Sequence, residues 1–234
     1  MNSSHVVVLD TGVLEPEENM AIDEQLLKEL DPDGAPLLHL YDWASPSATY
    51  GHFIPLERHV DTRLAAQKGV RFARRPTGGG IVFHIWDLAF SFLMPANHSQ
   101  CSENTLENYK FVNKIVLEAI DDLLPKKGAA NLLSEHTETP YFCMTRPTIY
   151  DVLYLGKKIA GSAQRRTKRG YLHQGTISLI EPDFALLGEI LRQKKEVLEA
   201  MASCTFTLFE PTSSLASCRE LVRKRLSRSF AAQF

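Results

Sequence analysis

Three consecutive glycines end the segment Arg74-Arg75-Pro76-Thr77-Gly78-Gly79-Gly80, which lies between two strand-like runs, Val70–Arg74 and Ile81–His84. A helix through it is disfavoured, because proline lacks an amide hydrogen and glycine gives up the most chain entropy on ordering. Strand, glycine-rich loop and strand is the arrangement that remains. With no side chains to hold a ligand away, such a loop can bring main-chain N–H groups against a carbonyl, carboxylate or phosphate oxygen, and two arginines at its edge add positive charge. The plainer reading is a flexible surface connection, since glycine-rich turns are common in sheets. The segment is neither a phosphate-binding loop ending in Gly-Lys-Ser/Thr nor G-x-G-x-x-G, so a nucleotide site here would be of another type.

After the loop, Leu88, Phe90, Phe92 and Met94 alternate with Ala89, Ser91 and Leu93, the period of a strand with one face against a core. Upstream, a strand around Val6–Asp10 precedes a helix opening at Pro16. Glu15, Glu17 and Glu18 complement the positive end of its dipole, and Met20, Leu26, Leu27 and Leu30 form its buried stripe. Leu37–Tyr41 and Ala48–Tyr50 read as strands, and Val60–Gln67 as a short helix ended by Gly69. Asn104–Leu124 is the longest helical segment, with Phe111, Ile115, Val116, Ala119, Ile120 and Leu123 at helical spacing. Strand-like stretches recur at about 140–143, 150–155, 158–163 and 171–180, with a tight turn at Gly156 and Lys157; Asp183–Met201 and Ser217–Ser229 read as helices. Without regular strand–helix alternation, the pattern predicts an α+β fold with a mixed, largely antiparallel sheet and flanking helices.

The 234 residues suit one domain, with 182–234 as a short helical extension of it. Apolar residues at 44% and charged residues at 23% exclude a disordered or fibrous chain. No apolar run is long enough to span a membrane, and Met1–Asp10 lacks the basic start and long apolar stretch of a signal peptide, so a cytoplasmic protein with no membrane partner is expected. Lys and Arg total 26 against 28 Asp and Glu, which gives no overall attraction for nucleic acid. Cys101, Cys143, Cys204 and Cys218 lack any paired spacing, so neither a disulfide framework nor a metal site is expected.

Four further features bear on chemistry. Lys158, just ahead of the small residues Gly161, Ser162 and Ala163, can set one compact cation against an acyl carbonyl or phosphate; the alternative is a solvated lysine. Lys157, Lys158, Arg165, Arg166, Lys168 and Arg169 form a run without an acid, either a docking surface for an acidic or phosphate-bearing partner or an exposed basic hairpin. Cys143, near basic residues, is a nucleophile toward an acyl group or a small core residue. His84 and His173 read as hydrogen-bonding structural histidines.

Together these segments resemble the catalytic domain shared by lipoate-protein ligases, octanoyltransferases and, more distantly, biotin-protein ligases. The resemblance runs from Asn19-Met20-Ala21-Ile22-Asp23-Glu24, through Tyr41-Asp42-Trp43 and Ala48–Gly51, to Arg74–His84 and Gly156–Leu179. It implies attachment of lipoate, or its octanoyl precursor, by an amide to a lysine of lipoyl domains in 2-oxoacid dehydrogenase complexes or of the glycine-cleavage H protein. It also implies roles: Arg74, Arg75, Gly78, Gly79 and Gly80 over the acyl chain and its activated carboxylate, His84 at the pocket floor, and Lys158 on the carbonyl and phosphate. Gly161, Ser162 and Ala163 would line the pocket, His173, Gly175 and Thr176 would close it, and Leu88, Phe90 and Phe92 would wall the acyl chain.

The triple-glycine and Gly161–Thr176 strings look like the ATP-dependent ligases, which use ATP and magnesium to make lipoyl-AMP, and this is the reading preferred from sequence. The alternative is an octanoyl or lipoyl transferase that takes its acyl group from acyl carrier protein or a lipoyl protein. Cys143, four residues before Pro147, matches the acyl-thioester cysteine of that branch. A protein that binds lipoyl domains without catalysis is a third class.

Overall fold

The computed structural model describes residues 5–134 and 148–234. Along the chain run β1 (Val7–Leu14), α1 (Pro16–Glu29), β2 (Leu37–Trp43), β3 (Ser47–Tyr50), α2 (Thr62–Gln67), β4 (Arg71–Arg74), β5 (Ile81–Phe83), β6 (Asp87–Pro95) and α3 (Thr105–Ile120). They are followed by β7 (Ala130–Leu132), β8 (Val152–Tyr154), β9 (Lys157–Thr167), β10 (Gly170–Ser178), α4 (Phe184–Ile190), α5 (Lys194–Cys204) and α6 (Leu215–Ala231). The large sheet has the order β1-β2-β6-β10-β9-β8-β7 and is antiparallel except where β1 meets β2; the small sheet is β4-β3-β5, with β3 parallel to β4. The α+β reading holds, with its strands divided between two sheets.

The ends of α1 follow its sequence. Pro16 occupies the first turn, and the Glu18 carboxylate accepts from the Glu15 N–H at 3.0 Å. The β8–β9 hairpin turns through Leu155 and Gly156, both at positive φ (50° and 79°), the pair of left-handed residues that a tight two-residue turn demands. The helix expected over Asp183–Met201 is two helices. Leu191 bridges to Val60, and the Arg192 N–H donates to the His59 carbonyl at 2.9 Å, pulling the chain out of helical conformation. Strand β7 has only three residues and no sequence pattern to announce it. The stretch at 140–143 lies outside the described residues.

Strand β6 is buried on both faces rather than one. Leu88, Phe90, Phe92 and Met94 pack with Val112, Ile115, Val116 and Ile120 of α3 and Val222, Leu226 and Phe230 of α6. On the opposite face Ala89 packs with Met20, and Leu93 with Leu27 and Leu30, all from the α1 side. The apolar stripe of α6 is fully buried at Val222, Leu226 and Phe230, each contributing about 1.5–3 kcal/mol of burial, so this C-terminal helix is part of the main core. A second core joins the small sheet to α2, α4 and α5 through Ala48, Val60, Ile81, Phe83, Leu187 and Ile190.

Candidate active site

A cleft of about 430 Å³ opens between the α1-side face of the large sheet and the small sheet. The glycine loop joins β4 to β5 along one wall. Arg75 is buried and organises this loop from within: Nε and Nη2 donate to the Gly78 carbonyl at 3.0 and 2.7 Å, Nη2 to the Gly80 carbonyl at 2.8 Å, and Nη1 to the Thr49 carbonyl and hydroxyl at 3.1 and 3.2 Å. Gly79 takes φ +86°, and a Cβ there would lie 2.8 Å from Arg75 Nη2.

Gly51 lies directly beneath. Its N–H donates to the Gly80 carbonyl at 3.2 Å, the His52 N–H donates to the Thr77 carbonyl at 3.2 Å, and a Cβ at 51 would collide with the Gly79 carbonyl oxygen. Because the obstacle is backbone, Gly51→Ala is expected to displace the loop and destabilise the protein by about 1–3 kcal/mol, the range of overpacking changes. A urea titration measures this, and an unchanged midpoint would contradict the close approach.

On the facing wall the Lys158 ammonium pairs with Asp151 at 2.7 Å. The Asp151 carboxylate is buried and also accepts from the Thr148 N–H at 2.7 Å and the Thr148 hydroxyl at 3.1 Å. Just before it, Tyr150 adopts φ +69°, a conformation that non-glycine residues seldom take, and the Asn113 amide of α3 donates to its carbonyl at 2.9 Å. The same amide reaches Ser162 Oγ at 3.2 Å. Lys158 lies across Gly161, where a Cβ would fall onto Lys158 Cε and 2.5 Å from Nζ. The side chain of Lys158 is 18% exposed, open to the cleft yet flanked by a buried carboxylate.

His84 also lines the cleft. Its ring stacks on Trp43 at 4.4 Å, Nε2 meets the Thr49 hydroxyl at 2.8 Å, and Nδ1 donates to the Asp87 carboxylate at 2.8 Å, an oxygen that Thr176 also reaches. His173 faces the other way. The Gln164 amide donates to Nδ1 at 2.8 Å, the ring is near Phe90 and Tyr109, and Nε2 is buried with no partner among the described residues.

Burial lowers the pKa of His173 from 6.5 to about 3. A histidine whose folded pKa is depressed gives stability that is complete above pH 6.5 and is lost as pH falls from there toward 3. Between pH 7.5 and 5.0 unfolding stability should fall by about 2 kcal/mol through this ring. Urea midpoints at the two pH values measure it, and the same drop in His173→Leu would disprove the assignment.

The structure gathers Arg75, Gly78, Gly79, Gly80, His84, Lys158, Gly161, Ser162, Ala163, Gly175 and Thr176 around one cleft. Three expectations need correction. Arg74 points outward over the Tyr50 ring at 5.8 Å and is exposed, because β4 turns alternate side chains to opposite faces. His173 does not close the cleft, for the same reason on β10. Leu88, Phe90 and Phe92 do not wall it either, since they lie on the α3 and α6 face while Ala89 lines the cleft. Cys143 lies outside the described residues. The basic run is partly internal bracing: Arg166 donates to the Ser102 and Glu103 carbonyls at 2.7 and 2.8 Å, Arg169 to the Leu30 carbonyl at 3.2 Å, and Arg165 to the Pro76 carbonyl at 3.4 Å.

Sequence reasoning missed Thr49, Asp151 and Gln174, single polar residues with no spacing to mark them, and named Thr77 only as part of the glycine segment. Asp23 was seen only as part of a motif. Cleft-facing Thr148, Ile149, Met20 and Tyr41 were likewise silent as site residues.

Residues 15–232 match the family model described as the lipoyl protein ligase A/B catalytic domain. A curated relative from Carboxydothermus hydrogenoformans, octanoyltransferase LipM, is 31% identical over 93% of this chain and 83% of its own length. Octanoyltransferase LipM of Brevibacillus brevis is 28% identical over 95% of this chain and 84% of its own. Among solved structures, the bipartite lipoate protein ligase of Thermoplasma acidophilum superposes with a TM-score of 0.72 at 22% identity, covering 99% of this chain and 84% of that one. Lipoate-protein ligase A bound with ATP gives 0.71 at 22% identity, covering 98% and 85%.

Proposed function

Because the chain belongs to the family of lipoyl protein ligase A/B catalytic domains, we propose that it transfers an octanoyl or lipoyl group to a lysine of a lipoyl domain, working from a thioester donor without ATP. The ATP-dependent ligase preferred from the glycine and lysine strings gives way to the transferase alternative. The relatives that are about 30% identical over nearly the whole chain carry the name octanoyltransferase, whereas the ligases share only the fold.

The observation that carries this reading is the Lys158 ammonium. It sits in the cleft opposite the glycine loop, on a carboxylate whose neighbours Thr148 and Ile149 line the same space. Those two residues directly follow the segment that holds Cys143.

In the first step the Cys143 thiol gives up its proton and its thiolate attacks the donor thioester; a new C–S bond forms, the donor's C–S bond breaks, and the carrier thiolate takes up the proton as it departs. In the second, the neutral amine of the acceptor lysine attacks, the C–N bond forms, the C–S bond breaks, and a proton passes from the nitrogen to the leaving thiolate. In both, Lys158 faces the carbonyl oxygen as it gains charge, and the Arg75-braced loop covers the acyl group against water. Acyl carrier protein is the fitting donor. The acceptor is a lipoyl domain of a 2-oxoacid dehydrogenase complex or the glycine-cleavage H protein.

Intact mass of a purified apo-lipoyl domain tests the assignment. Octanoyl-acyl carrier protein without ATP should add one octanoyl group. Lipoate with ATP and magnesium should add nothing; mass gained only in that tube would restore the ligase. Binding with no mass gained in either tube would favour the non-catalytic class.

A further inference from the structure

Beneath the cleft a buried polar chain leads away from the glycine loop, and the chemistry above makes no use of it. The Thr77 hydroxyl, on the loop, donates to Gln174 Oε1 at 2.6 Å, across the cleft on β10. Gln174 Nε2 donates to Asp23 Oδ2 of α1 at 2.6 Å and reaches Met20 Sδ at 3.3 Å. The same Asp23 oxygen accepts from the Ser91 hydroxyl at 2.6 Å, while Oδ1 takes the His39 Nδ1 hydrogen at 2.8 Å. Asp23, His39 and Ser91 are fully buried, and Thr77 and Gln174 nearly so.

A carboxylate placed there is costly unless every lone pair it presents is used. Here its use is directional. An amide has one donating and one accepting end, and a carboxylate only accepts, so Asp23 forces the Gln174 NH₂ toward itself and the carbonyl toward Thr77. Arg75 stiffens the loop within its own wall. Thr77–Gln174 is a buried hydrogen bond that ties the loop to the opposite wall, and among the described residues the longer, exposed Arg165–Pro76 contact runs alongside it.

We infer that Asp23 is a positioning residue which, through Gln174 and Thr77, holds the glycine loop closed over the acyl group and so limits loss of that group to water. This rests on the transferase reading for its consequence, but not for the tether itself. In the wasteful reaction the oxygen of water bonds to the acyl carbon, the C–S bond breaks and the thiol regains its proton. A loop opened more often admits that water.

Two readouts test it. Amide hydrogen exchange over 76–80 in the free, full-length protein reports loop opening. The ratio of free octanoate to octanoyl-lipoyl domain, with octanoyl-acyl carrier protein as donor, reports partition. Thr77→Val and Gln174→Met should each raise both about tenfold, the scale of one lost hydrogen bond. The double variant should match the singles, because both cut one path. Asp23→Ala should reproduce the effect, whereas Asp23→Asn should keep wild-type exchange and partition: asparagine keeps an oxygen toward Gln174 and Ser91 while His39 changes tautomer. If Asp23→Ala does not fold, Gln174→Met and Asp23→Asn decide. Wild-type loop exchange in Thr77→Val or Gln174→Met, additive effects, or a fast-exchanging loop in Asp23→Asn would overturn the inference. A wild-type protein that yields no octanoyl-lipoyl domain would defeat the transferase reading instead, leaving exchange to judge the tether.

Discussion

Cys143→Ser is expected to abolish formation of an acyl-enzyme and to lower octanoyl transfer on the order of 10³-fold or more, the scale of losing a nucleophile. A thiol is a few per cent thiolate at neutral pH and intrinsically very nucleophilic, whereas a serine hydroxyl is weak without an adjacent base. The variant therefore loses the first bond-forming step. Incubation with octanoyl-acyl carrier protein followed by intact mass checks it: wild type should carry one octanoyl group, released by hydroxylamine, and the variant none. Undiminished transfer in Cys143→Ser would show that the acyl group passes directly to the acceptor lysine and would remove the thioester step from the mechanism.

The second large effect is at Lys158. On the proposed mechanism Lys158 faces the carbonyl oxygen, so Lys158→Ala should lower turnover by ~10²–10³-fold, the cost of a lost oxyanion-stabilising group. It also leaves the buried Asp151 carboxylate with its Thr148 partners alone among the described residues, so a loss of stability accompanies it. Gly161→Ala is the milder change. The new methyl group displaces the flexible end of Lys158 but keeps its charge near Asp151, so a misplaced ammonium should cost about tenfold or more in kcat with a smaller shift of the urea midpoint than Lys158→Ala. Near-normal turnover in Lys158→Ala would rule out its role.

Pocket residues were legible from sequence where the chemistry needed a local string. Gly78–Gly80, Lys158 and Gly161–Ala163 were marked because a glycine run, or a cation beside small residues, is unusual along a strand, and all of them line the cleft. Arg74, His173 and the Leu88–Phe92 stripe were placed on the wrong side. Alternation gives the two faces of a strand but not which face meets the cleft, and β6, covered on both sides, reads equally well either way. Packing of Leu88, Phe90 and Phe92 against α3 and α6 fixes it, leaving Ala89 on the cleft side.

From the sequence alone came the α+β class, the helix beginning at Pro16, the glycine loop between strands and the lysine beside it, because propensity, periodicity and glycine's freedom act over a few neighbouring residues. Only the tertiary structure decided that Asp151 holds Lys158, that Arg75 braces the glycine loop from within, and that Asp23 and Thr77 meet at Gln174. Asp23 and Gln174 are far apart in the chain, and a hydrogen bond acts over about 3 Å; until the α1 helix packs beneath the large sheet, nothing in either residue's neighbourhood specifies the other.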